Sequence, residues 1–105
     1  MPEYTFVADL NDRIPEMPPD SIVSNTMYDG SDLKVTLFGF APGQELTEHT
    51  AARPAVLLVQ AGEGEISLGS ETFAVGPGTW IHMPSHLAHS VRASTQLVFI
   101  LQLLK

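Results

Sequence analysis

The side chains best suited to chemistry in this chain are its four histidines, and they are unevenly placed. His49 stands alone after the stretch "ELTE", while His82, His86 and His89 share the stretch "IHMPSHLAH". A neutral imidazole is a ligand for zinc, iron, nickel, copper and manganese and titrates near physiological pH. The spacing therefore asks whether His49 is one half of a site that folding closes with the later histidines. Other polar candidates lie close by. Arg53 precedes Pro54 just after His49 and has the fork geometry for a substrate carboxylate. Alternation along "ELTEH" puts Glu45 and Thr47 on the His49 side, which makes Glu45 the nearest candidate carboxylate. Trp80, Phe38 and Phe40 are large enough to line a pocket, although such residues more often fill a core.

Positioning these groups falls to short strands. "LKVTLFGF" (33–40) sets Leu33, Val35, Leu37 and Gly39 on one face and Lys34, Thr36, Phe38 and Phe40 on the other. "AVLLVQA" (55–61) is an apolar run of strand length, and its valines favour strand over helix. Glycines at 62, 64, 69, 76 and 78 then punctuate "EISL", "ETFAV" and "TWIHM". In "TWIHM", His82 falls with Trp80, away from Thr79, Ile81 and Met83. A tight loop over Pro84–Leu87 would bring His82 opposite His89; a connection passing between sheets would not. "HSVRA" and "QLVFILQLL" complete the set, the last read as a strand covered on both faces. Residues 1–20 read as an extended segment, "YTFVADL", followed by the proline-rich "IPEMPPD", and residues 21–105 as the folded barrel. No segment carries a long helical period with caps, so the chain is expected to be all-β, a sandwich or barrel in one domain.

Composition narrows the partners. Lys and Arg number 5 against 12 Asp and Glu, a formal charge of −7. That balance opposes nucleic-acid binding, which needs a basic footprint, and docking on anionic lipid. No stretch has the length of a membrane span, and the first residues lack the basic and apolar regions of a signal peptide. There is no cysteine, which removes a thiolate nucleophile, a disulfide framework and a Cys-bound zinc site. A cytoplasmic protein is the expectation.

Two glycine-led spacings tie these observations together. Gly43 precedes His49 by five intervening residues and Gly62 follows; Gly78 precedes Pro84 by five, and His89 follows. This resembles the cupin superfamily, whose motifs read G-x5-H-x-H-x3/4-E-x6-G and G-x5-P-x-G-x2-H-x3-N. The chain is similar to a small single-domain cupin of the conserved-barrel type, with a degenerate first motif. The resemblance implies a double-stranded β-helix, or jelly-roll barrel, and a homodimer. It departs at Ala51 and Ala55, where the family carries a second histidine and a glutamate. It also departs at His86 and Ala93, which replace a glycine and an asparagine.

From that resemblance, His49 and His89 are the expected metal ligands, with His82 and His86 as candidate replacements for the lost ones. The cofactor implied is a divalent transition metal: zinc, iron, nickel or manganese. Arg53 and Trp80 are the expected substrate-binding residues. The function implied is a metal-dependent oxygenase or isomerase acting on a small organic ligand. The alternative is a metal-free ligand-binding or sensory cupin, its cavity widened by Ala51 and Ala55. A purely structural protein would have a filled barrel instead.

Overall fold

The computed structural model describes residues 3–105. Nine strands form two antiparallel sheets packed face to face: β1 (Ile22–Asp29), β2 (Leu33–Phe40), β3 (Glu45–His49), β4 (Ala55–Ala61), β5 (Gly64–Leu68), β6 (Glu71–Val75), β7 (Trp80–Met83), β8 (His89–Ala93) and β9 (Leu97–Leu104). The larger sheet runs β1-β2-β9-β4-β7 and the smaller β3-β8-β5-β6. This is the jelly-roll arrangement expected from the motifs. Among the described residues no helix is long and apolar enough to cross a membrane.

Alternation decides the core. Phe38 pairs with Phe99 and Phe40 with Leu97 across β2 and β9, so all four face inward. Phe99 stacks on Phe38 with ring centroids 5.4 Å apart and tilts against Phe40 at 5.5 Å. Leu57, Val59, Ile81 and Met83 complete this inner face, against Ile66, Val75, Val91 and Ala93 of the smaller sheet. The opposite face of β2 is also covered, because the N-terminal region lies across it. A Cβ placed on Gly39 would sit 2.3 Å from the Cε of Met17. Asn25 Nδ2 donates to the Arg13 carbonyl at 2.8 Å and ties the same region to β1. Leu37 and Val98 are buried as a result.

Leu10–Arg13, at the end of the segment read as extended, form a short 3-10 turn. Asp9 supplies its cap by accepting from the Asn11 amide, a local side-chain bond that competes with extended structure. β9 is central in its sheet, paired with β2 on one side and β4 on the other, in keeping with its largely apolar sequence.

Candidate functional site

The two halves of the histidine pattern meet. β3 and β8 are antiparallel neighbours, and His49 is in register with His89. Their rings lie 4.1 Å apart, centroid to centroid, at a 59° tilt. Simple alternation would not put them there. Leu46 pairs with Val91 and faces inward, so His49, three residues later, should face out. A bulge between Leu46 and His49 inserts one residue into β3 and returns His49 to the inner side. The same bulge overturns the expectation for Glu45, which pairs with Arg92 and lies exposed on the outer face, away from His49.

Each imidazole is anchored in the same way. His49 Nδ1 donates to the Thr47 carbonyl at 3.0 Å and His89 Nδ1 to the Leu87 carbonyl at 2.9 Å. A carbonyl can only accept, so both Nδ1 atoms carry a proton, and in the neutral imidazole Nε2 is then the atom with the lone pair. These rings line an interior space of about 40 Å³ with Leu46, Met83, Val91 and Phe99 among its walls. Apart from the two imidazoles, every lining side chain is apolar.

The lost ligand positions also resolve. Ala55 is buried on the inner face of β4, in register with Met83 of β7 and Leu103 of β9. Ala51 sits in the connection before β4, where its carbonyl accepts from the His86 amide at 2.7 Å. Removing the two larger side chains has not left the wide cavity expected from the sequence; the space at the histidine pair has room for little more than a water.

His82 and His86 do not join the pair. β7 and β8 belong to different sheets, so the Pro84–Ala88 connection crosses between them and His82 pairs with Val56, not His89. His82 is exposed on the outer face beside Trp80. Together with Phe73 they line a groove of about 390 Å³ between β6 and β7, each an edge strand of its sheet. Trp80 therefore lies on this outer groove and Arg53 on the exposed connection before β4.

His86 stands in the crossing with φ 66°, a left-handed conformation that costs a side-chain-bearing residue roughly 1–2 kcal/mol. The family's glycine at this position has a direct explanation, since glycine adopts that backbone freely. His86→Gly is expected to raise stability by about 0.5–1 kcal/mol, part of the gain being lost to a more flexible unfolded chain. Urea denaturation measures it, and a destabilised variant would refute it.

The residues therefore do not fit the family's usual divalent metal. Among the described residues no group of three or more His, Cys, Asp or Glu side chains could hold a metal ion. A catalytic zinc site commonly takes three protein ligands and keeps one position open. The inner residue that the sequence reading passed over is Met83. Alternation in "TWIHM" already places it with Ile81 on the buried face, but a thioether is easily read as core filler.

Comparisons with known proteins agree with this architecture. A conserved protein of unknown function from Streptococcus pyogenes superposes with a TM-score of 0.85 at 29% identity, over 98% of this chain and 90% of that one. KdgF from Halomonas sp. superposes with a TM-score of 0.81 at 21% identity, over 99% and 96%. Salicylate 1,2-dioxygenase from Pseudoaminobacter salicylatoxidans, in a structure of its adducts with gentisate, gives a TM-score of 0.76 at 19% identity. That match covers 90% of this chain but 28% of the dioxygenase. No curated protein matches. The model of the cupin domain matches residues 36–102, from within β2 to within β9 and including both histidines, and this chain belongs to the cupin family.

Proposed function

We propose that this chain is a binding cupin, and that the His49–His89 pair takes a small guest inside the barrel without forming the family's divalent catalytic centre. The observation that carries this reading is the lining of the interior space: two imidazoles and otherwise only apolar side chains. With each Nδ1 already donating, the neutral imidazoles offer Nε2 as acceptors, for a cation or a small molecule with a hydrogen-bond donor. No general acid or base other than the imidazoles lines the space, and no carboxylate balances a divalent charge there. The apolar Trp80 and Leu104, exposed on the outside, support a homodimer.

The reading is tested by thermal shift on untagged protein, with small alcohols, with monovalent cations and, separately, with manganese, iron, nickel and zinc. A guest at 100 times its Kd stabilises by about 2.7 kcal/mol. The expected result is stabilisation by a metal-free donor molecule or a monovalent cation, lost in His49→Ala/His89→Ala. Stabilisation by a divalent metal alone, lost in the same variant, overturns it in favour of a metal-dependent enzyme. Sedimentation of the same samples tests the dimer, and a monomer throughout removes it.

A further inference from the structure

We infer that His49, His89 and Met83 form a site for a soft monovalent cation, cuprous copper; this rests on the binding role just proposed for the histidine pair and names its guest. Three observations lead to it. First, each histidine has its Nδ1–H tied to a backbone carbonyl, at 3.0 or 2.9 Å, which leaves Nε2 as the ring nitrogen free to bind an ion. Fixing the far ring nitrogen in this way orients an imidazole and raises its basicity as a ligand. Second, Met83 lines the same space, is 3% exposed, and stands in register with Ala55, where the family has its carboxylate. A hard, charged oxygen donor is thus absent from β4, and a soft, neutral sulfur stands beside its place on β7. Third, the walls are otherwise apolar.

Ligand chemistry and electrostatics then agree on the ion. The thioether donor favours soft ions such as Cu(I), and imidazole, which also binds zinc, iron and nickel, is compatible with copper. Its filled d shell imposes no demanding geometry and accepts low coordination numbers. Charge decides against zinc and its neighbours. The idealised cost of burying an ion grows with the square of its charge, so a divalent ion between neutral ligands costs about four times as much as a monovalent one. Without a carboxylate, nothing in this space offsets the difference. The room available, about 40 Å³, suits a bare ion rather than an organic molecule.

The test uses the full chain, untagged and without oxygen, in competition with a chromogenic Cu(I) chelator. Wild type is expected to bind one equivalent, and Met83→Leu, which keeps the core volume, to bind at least about tenfold more weakly. X-ray absorption at the copper edge should show nitrogen and sulfur scatterers in wild type and lose the sulfur in Met83→Leu. Met27→Leu serves as a control that leaves both unchanged. If Met83→Leu matches wild type in affinity and spectrum while His49→Ala/His89→Ala loses the ion, the Met83 assignment is wrong and the two-histidine site survives. If wild type binds no Cu(I), the inference fails outright, and the thermal-shift series decides the fate of the broader reading on its own.

Discussion

Gly62→Ala will be the most damaging single-methyl change in this chain, lowering stability by about 3–5 kcal/mol. Two independent effects add. Gly62 has φ 84°, where a Cβ costs roughly 1–2 kcal/mol. Its Cβ would also lie 1.8 Å from the Gln96 carbonyl oxygen, a backbone atom that cannot rotate away. The turn carrying Gly62 is held to the β8–β9 turn by the Ser94 and Thr95 amides, which donate to the Glu63 carbonyl, and by the Glu63 amide, which donates to Thr95 Oγ1. Making room for the methyl strains three bonds worth about 1 kcal/mol each. Gly43→Ala separates the two effects, because Gly43 has φ 82° but nothing within 4 Å of its would-be Cβ. It should lose only about 1–2 kcal/mol. Equal losses in the two variants, measured by urea denaturation, would show that the close approach to Gln96 is not a constraint.

The second large effect is a gain. Ala51→His/Ala55→Glu restores the residue types the family carries at those positions and should convert the interior into a divalent metal site. Without metal the double variant should be less stable than wild type by about 2–4 kcal/mol, because the introduced glutamate would put a carboxylate on the buried face of β4. Zinc, nickel or manganese at 100 times its Kd should return about 2.7 kcal/mol. Wild type should show no comparable response. A folded double variant whose melting temperature ignores all three metals would mean that positions 49, 51, 55 and 89 do not converge on one point. Met83 must move aside for the new side chain, and its own unbranched side chain makes that inexpensive.

Much of this geometry could be read from the residues, and the parts that could not share a physical cause. The faces of β2 followed from alternation: Phe38 and Phe40 point inward, while Leu37 and Gly39 take the cover supplied by the N-terminal region. The covered first half of β9 followed from its apolar run over Leu97–Leu101, whereas Gln102 and Leu104, beyond it, are exposed. The meeting of His49 and His89 was implied by the resemblance to the cupin motifs that the two glycine-led spacings carry. Glu45 was misplaced because alternation assumes a strict period of two, and the extra residue in β3 leaves no mark on composition. His82 could not be placed until the connection after β7 was known to change sheets. Met83 falls on the buried face by alternation alone, and in the sequence a thioether ligand looks the same as core filler.

The bulge in β3 has a consequence for how such chains can diverge. The five residues between Gly43 and His49 include the additional residue that turns the imidazole inward. The identities of Glu45, Thr47 and Glu48 are open to exchange, since all three are exposed and none lines the histidine space. The number of residues is not, because a one-residue insertion or deletion would reverse His49 and leave His89 without its partner. The motif's spacing is thus a parity rule imposed by the sheet, and length variants at this point would be lost while substitutions accumulate.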